Sequence, residues 1–170
     1  MNTFIALLRA VNVGGTGKLP MQDLRAICEA AGFLQVRTYI ASGNVVFQAS
    51  ISEAKVKAAL EQALAKYAKK PIGVLVRTAA EMEQVLAQNP FPDAAPNRTV
   101  AIFLDEPPPH DPLSAITGKD DEKIALGRRE IYVHYSKGIG TSKLKIKAAN
   151  SGTARNMNTV AKLVELARAL

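Results

Sequence analysis

The stretch Val36-Arg-Thr-Tyr-Ile-Ala-Ser-Gly-Asn-Val-Val-Phe-Gln48 decides the fold of the first half of the chain. Apolar and polar side chains alternate in its first half, which is the periodicity of a strand with one buried face. Gly43-Asn44 then supplies a turn pair that tolerates positive φ, and a second apolar run follows at 45–48. The pattern predicts a β-hairpin with a tight turn.

The segments on either side extend this hairpin to a βαββαβ unit. Residues 3–11 are apolar on both faces, as in a buried central strand, and a helix with a periodic apolar stripe follows and ends at Gly32. After the hairpin, Ser50 and Glu53 have the spacing of a capping box and predict the start of a second helix. A fourth strand is predicted over 71–77. This element order predicts a ferredoxin-like first domain over 1–88.

The second half has its own mixture of elements. Thr78 and Glu81 form a second capping-box pattern, and a proline-rich segment at about 89–97 is predicted to be a linker. Beyond it we expect a strand over 99–104, a short helix over 112–116, a hairpin over 123–135 and a last helix from about Ala154 to Ala169. The chain is therefore predicted to be an α+β protein, with a smaller αβαββα second domain over 98–170.

Composition excludes several classes of protein. The chain has 170 residues, of which 48% are hydrophobic and 22% are charged, so it is a folded globular protein rather than a disordered one. Its one cysteine, Cys28, excludes an internal disulfide, and His110 and His134 lack neighbours at metal-ligand spacing, so we predict no metal site and no cofactor. No apolar run is long enough to span a membrane, and the first residues lack a signal-peptide pattern. We expect a cytoplasmic protein.

The net charge of +7 is confined to one part of the chain. Residues 128–170 contain nine basic and two acidic side chains, whereas residues 1–127 sum to zero. Such asymmetry indicates an anionic partner, with a phosphate-bearing molecule or nucleic acid first among the candidates. The alternative is a solvated basic surface.

The segment Asn12-Val-Gly-Gly-Thr-Gly-Lys-Leu-Pro20 connects the first strand to the first helix. Backbone N–H groups in such a loop can hold an anion, and a lysine side chain adds positive charge. The ligand-binding candidates here are Asn12, Gly14, Gly15 and Lys18. The Walker pattern fails at Asn12 and at Leu19, so nucleotide hydrolysis of that type is excluded. The alternative is a glycine turn that only satisfies positive φ.

Two further segments carry candidate residues. Tyr39, Ser42 and Asn44 surround the hairpin turn, where simple turn chemistry is the favoured interpretation.

Ser142 and Lys143 precede Arg155 and Asn156, which the periodicity places in the first turn of the last helix. The helix dipole disfavours a cation there, so an anion docked at this helix start would explain Arg155. Pairing with a protein carboxylate and simple solvation are the alternatives.

Together these segments resemble a bacterial family of uncharacterised proteins, the domain of unknown function 1697. The resemblance rests on Ala6-Leu-Leu-Arg-Ala-Val-Asn-Val-Gly-Gly15, on the hairpin segment from Arg37 to Phe47, and on Ser142-Lys-Leu144 with Thr153-Ala-Arg-Asn-Met-Asn-Thr-Val-Ala-Lys-Leu163. It implies a ferredoxin-like α+β architecture with a compact second part and implies no reaction. The chain departs from the family at Ala10, where glycine is frequent, and at Met157, where tryptophan is frequent.

The sequence thus leads to one main hypothesis, the binding of a nucleotide or a nucleic-acid backbone through the glycine loops and the basic C-terminal region. The alternatives are an enzyme that acts on a small anionic metabolite and a protein–protein adaptor; the sequence does not indicate an oligomeric state. We also expect the last helix to dock so that Arg155 and Asn156 approach the glycine loop or the hairpin turn, since a polar pocket at a seam is a common ligand site.

Overall fold

A computed structural model describes residues 1–13, 18–109, 111 and 115–170 of the chain. The predicted ligands Gly14 and Gly15, His110 and most of the short helix expected over 112–116 lie outside these described residues. Within the described residues, no helix is both long enough and apolar enough to cross a membrane.

The described chain is an α+β protein, as predicted, and divides into two compact units. The first unit holds Met1–Glu83 and Lys162–Leu170, and the second holds Gln84–Ala161. The segment 89–97, expected to be a linker, falls within the second unit.

The elements of the first part follow the predicted order, βαββαβ. They are β1 (Asn2–Leu8), α1 (Met21–Ala30), β2 (Leu34–Tyr39), β3 (Asn44–Ala49), α2 (Glu53–Ala68) and β4 (Val74–Thr78). The four strands form an antiparallel sheet in the order β2-β3-β1-β4. Both central strands are buried over most of their length, which explains why residues 3–8 are apolar on both faces.

One face of this sheet and the two helices enclose the first core. Phe4 of β1 and Phe47 of β3 pack with Leu60 and Leu64 of α2. Phe33 stacks on Phe47, with ring centroids 4.4 Å apart. Each such side chain contributes about 1.5–3 kcal/mol when fully buried. Cys28 of α1 lies in the same core, where burial raises the pKa of its thiol to about 12, so it is a core residue and not a nucleophile.

The second part contains more strands than the sequence predicts. Its elements are α3 (Ala79–Ala87), β5 (Thr99–Phe103), β6 (Ile116–Thr117), β7 (Lys123–Leu126), β8 (Glu130–His134), β9 (Lys145–Ile146), β10 (Thr153–Asn156) and α4 (Met157–Arg168). One antiparallel sheet has the order β10-β5-β8-β7, and β6 pairs with β9. The hairpin of β7 and β8 is confirmed, but Ile116 is in a strand, not a helix, and β9 and β10 were not predicted.

Helix starts show where the sequence pattern is right and where it predicts a start two residues too early. Thr78 and Glu81 exchange both hydrogen bonds of a capping box, at 3.2 and 3.0 Å, as predicted. The N-cap of α2 is Ser52, whose hydroxyl accepts from the Lys55 amide, so the predicted cap at Ser50 is wrong. Both serines have the right chemistry, and the backbone bond from Val56 to Ser52 decides between them.

A pair of alanine variants distinguishes these two serines. Ser52→Ala removes the acceptor for an α2 amide and should lower the free energy of unfolding by about 1 kcal/mol. Ser50→Ala is the matched control, because Ser50 precedes the helix and is exposed, as Ser52 is. Urea denaturation measures both changes, and an equal loss in the two variants would contradict the cap at Ser52.

Candidate functional site

Three connections of the first unit meet at one end of its sheet. Because β1 pairs antiparallel with both β3 and β4, the end of β1 lies beside the starts of both neighbours. The Leu8 amide donates to the Gly43 carbonyl at 2.9 Å, and the Arg9 amide donates to the Gly73 carbonyl at 2.9 Å. The glycine loop therefore begins next to the hairpin turn and next to the connection between α2 and β4.

Asn12 joins the loop after β1 to the hairpin turn. Its Oδ1 accepts from the Leu19 amide at 2.6 Å, and its Nδ2 donates to the carbonyls of Leu19 and Ala41, both at 2.8 Å. One side chain thus closes the loop between residues 12 and 19 and fixes it to residue 41. Asn12 therefore holds the loop in place by hydrogen bonds within the protein.

The predicted candidates around the hairpin turn serve the turn itself. Asn44 is fully buried, and its Nδ2 donates to the Tyr39 carbonyl at 2.9 Å and to Ser42 Oγ at 2.8 Å. Gly43 has φ +88°, a conformation that side chains other than glycine rarely adopt. These contacts agree with simple turn chemistry, the interpretation that the sequence favours.

A cleft of about 670 Å³ opens beside this end of the sheet. Its charged side chains are Arg9, Lys18 and Lys70, and Tyr67 also lines it. The remaining lining residues, small or apolar, are Ala10, Val11, Leu19, Ala68, Pro71, Ile72 and Gly73. No carboxylate is among the described residues that line the cleft. We call this feature the cationic cleft.

Packing helps to place two of the cleft side chains. The side chain of Arg9 covers Gly73, where a Cβ would lie 2.9 Å from Arg9 Cδ, so the glycine leaves room for the arginine stem. Tyr67 Oη donates to Asp23 Oδ2 at 2.6 Å, which ties the last turn of α2 to the first turn of α1. This bond raises the pKa of Tyr67, so the phenol keeps its proton at neutral pH.

Sequence reasoning found Lys18 but missed Arg9, Tyr67 and Lys70. Arg9 follows β1, and the other two lie where α2 ends and the chain turns toward β4. In a βαββαβ unit with β1 beside β4, these points share one end of the sheet. The predicted order of elements therefore contained the signal, but Arg9, Tyr67 and Lys70 belong to none of the segments whose sequence suggests a site.

The second unit surrounds Ser142 with carboxylates. Ser142 Oγ donates to Glu122 Oε2 at 2.8 Å and accepts from the Leu144 amide at 3.2 Å. The hydrogen bond from the Asp120 amide lowers the pKa of Glu122, and the hydrogen bond from the Ser142 hydroxyl lowers it further. Lys143 lines the same cleft of about 250 Å³, which also contains Asp120, Asp121 and Lys137. Its carboxylates disfavour an anion.

Among the described residues, no group of three or more histidine, cysteine or acidic side chains is placed to hold a metal ion.

Arg155 and Asn156 are in a strand, so their predicted place in a helix is wrong. Arg155 pairs with Ala101 of β5 in the antiparallel ladder of β10, and α4 begins only at Met157. Asn156 Oδ1 accepts from the Thr159 amide at 2.9 Å and caps α4. The helix-dipole argument for an anion at Arg155 therefore does not apply.

Arg155 is 7% exposed and donates from Nη1 to Thr153 Oγ1 at 2.7 Å and to the Ala154 carbonyl at 3.0 Å. Burial lowers its pKa to about 10, which leaves it charged at neutral pH. The approach of Arg155 and Asn156 to the glycine loop or the hairpin turn stays a prediction.

The basic residues of 128–170 have varied surroundings. Lys137, Lys162 and Arg168 form ion pairs with Asp120, Glu165 and Glu83, at 2.9, 3.2 and 2.9 Å. Arg129 donates to the Asp105 carbonyl at 3.2 Å, and Arg155 is buried. More than half of the nine basic side chains therefore have protein partners or are removed from solvent.

Comparison with known proteins gives a family and a fold. The family model described as "Protein of unknown function (DUF1697)" matches residues 1–132. The solved structure of a conserved bacterial protein from Streptococcus pneumoniae is similar, with a TM-score of 0.81 and 24% sequence identity over 98% of each chain. That likeness shows the fold alone. No curated protein matches the chain.

Proposed function

The chain belongs to the DUF1697 family of proteins of unknown function, and we propose that it binds a small phosphate-bearing molecule in the cationic cleft of its first unit. The observation that carries the proposal is the charge of the cleft: three cationic side chains line it, and its described lining contains no carboxylate.

The three cations suit an anion that carries more than one charged oxygen. The planar guanidinium of Arg9 can donate two parallel hydrogen bonds to a phosphate, and Lys18 and Lys70 act as point charges. Hydrogen bonds that involve a charged group are about twice as strong as neutral ones. The walls formed by Val11, Leu19 and Ile72 add apolar surface, which is typical of small-molecule sites.

The dimensions of the cleft favour a small molecule over a polymer backbone. Its volume of about 670 Å³ is within the range of common ligand pockets, roughly 300–1,000 Å³. A nucleic-acid backbone would instead require a continuous row of exposed cations. In the basic C-terminal segment, carboxylates partly neutralise Lys137, Lys162 and Arg168, and Arg155 is buried, so this segment is less suited to such a row.

Calorimetric titration of the wild-type chain tests the proposal. Pyrophosphate and ADP should bind saturably, and their affinity should fall several-fold between roughly 50 and 200 mM salt, because direct contacts between cations and phosphate are screened. Adenosine, which lacks phosphate, is the control and should bind at least tenfold more weakly than ADP. A folded protein that binds neither pyrophosphate nor ADP at low salt would refute the proposal, as would equal binding of adenosine and ADP.

A further inference from the structure

The cationic cleft has an aromatic ring at its rim. Tyr67 lines the cleft and is 44% exposed, and it is the one aromatic side chain among the exposed large hydrophobic residues of the described chain. It belongs to the last turn of α2, and Lys69 ends that helix with φ +57°. This left-handed residue turns the chain so that Tyr67 and Lys70 line the same cleft.

The ring is held at its far end rather than free to rotate away. Its hydroxyl donates to Asp23 Oδ2 at 2.6 Å, and Asp23 is in the first turn of α1, a different element. A tyrosine anchored in this way loses little conformational entropy when a ligand covers it. The Tyr67 ring is thus a pre-oriented apolar surface at the rim of a positively charged cleft.

Rings of this kind are used to stack nucleobases. Every base has a flat π-face, and stacking on an aromatic side chain stabilises a bound nucleotide without selecting its sequence. A phosphorylated sugar or an inorganic phosphate would satisfy the cations and leave the ring uncovered. A nucleotide uses both features, because its phosphates and its base lie at opposite ends of one molecule.

We propose that the ligand is a free nucleotide whose phosphates lie among Arg9, Lys18 and Lys70 and whose base stacks on Tyr67. This inference rests on the proposed function and deepens it. The cleft volume of about 670 Å³ accommodates a molecule of this size. The Tyr67 ring then determines preference for nucleotides over other phosphates, while the three cations supply affinity for phosphate in general.

Two variants of Tyr67 distinguish base stacking from a purely structural role of the Tyr67 side chain. With ADP and pyrophosphate as probes, Tyr67→Ala should weaken ADP binding by roughly tenfold or more and leave pyrophosphate binding within about twofold, since only ADP has a base to stack. Tyr67→Phe keeps the ring face and removes the bond to Asp23, so we expect a loss of no more than about threefold for ADP. Circular dichroism checks that both variants are folded.

The outcomes distinguish this inference from the proposed function. If the wild type binds pyrophosphate as tightly as ADP, or if Tyr67→Ala weakens both probes equally, the stacking role is overturned while phosphate binding stands. If neither probe binds, the proposed function itself fails. A trinucleotide with a 5′-phosphate provides a third arm, and tighter binding of it than of ADP would overturn a free nucleotide as the ligand.

Discussion

Replacement of Gly43 by alanine is expected to destabilise the first unit by about 2–5 kcal/mol. Two costs combine at this position. With φ +88°, an alanine is forced into a left-handed conformation, which costs roughly 1–2 kcal/mol. Its Cβ would also lie 2.7 Å from Val11 Cγ2 and 2.9 Å from Leu8 Cβ, and overpacking of this kind adds roughly 1–3 kcal/mol. Urea denaturation of the purified variant measures the loss.

Gly32 supplies a matched control for this variant. Its φ is +89°, but a Cβ built there meets no atom within 4 Å. Gly32→Ala therefore carries only the backbone cost, about 1–2 kcal/mol. The difference between the two variants reports the contact between the hairpin turn and the end of β1. Equal losses in Gly32→Ala and Gly43→Ala would contradict the close approach of these segments.

Reversal of two charges in the cationic cleft is expected to weaken ADP binding by about 100-fold or more. The double variant Lys18→Glu, Lys70→Glu removes two attractive partners and adds two repulsive ones. A hydrogen bond to a charged group contributes about 1.5–3 kcal/mol, so the loss of two contacts alone reaches the stated range. Calorimetric titration with ADP measures the change, and unchanged stability to urea shows that the variant is folded.

The variant Lys55→Glu, Lys66→Glu controls for net charge. Both lysines are exposed residues of α2 and neither lines the cationic cleft, so the total charge changes by the same amount at a different place. Because long-range screening is strong at physiological salt, we expect at most a threefold loss of ADP affinity. A similar loss in both double variants would mean that overall charge, and not the cleft, determines binding.

Much of the first unit could be predicted because its signals are local. The strand before the hairpin turn, the glycine at the end of α1 and the capping box of Thr78 and Glu81 each depend on neighbouring residues, and all three are confirmed. The strand is shorter than the alternation predicts, because Ile40 lies exposed in the turn and Asn44 already begins β3. The start of α2 shows the limit of such patterns. Two serines compete there, and Ser50 and Glu53 match the capping-box spacing although Ser52 is the N-cap.

The errors in the second part have a non-local cause. Ala154 and Arg155 are good helix formers, so the sequence pattern predicts that the last helix begins at Ala154. Pairing of Thr153–Asn156 with β5, some 50 residues away, overrides that preference. The sequence contains a signal for the true boundary, since Asn156 is a favourable N-cap three residues before Thr159.

The candidate site was predicted only in part, because contacts between distant parts of the chain also bring its residues together. Asn12 and Lys18 were found because they belong to a recognisable loop. Arg9 and Lys70 are brought to one cleft by the neighbouring positions of β1 and β4, which no short motif encodes. Conversely, Ser142 and Arg155 belong to segments whose sequence suggests anion binding, but both side chains hydrogen-bond to groups of the protein itself.

Mapping of amide chemical shifts during titration with ADP tests the central claim most directly. The chain, at 18.2 kDa, is small enough for ¹H–¹⁵N spectroscopy of the uniformly labelled protein. Binding in the cationic cleft predicts that the largest shifts fall on residues 9–11, 18–19, 67–70 and 72–73. The claim is contradicted if saturating ADP leaves these amides unmoved, or if the largest shifts fall on the basic residues of the second unit, such as Lys143, Lys145 and Lys147.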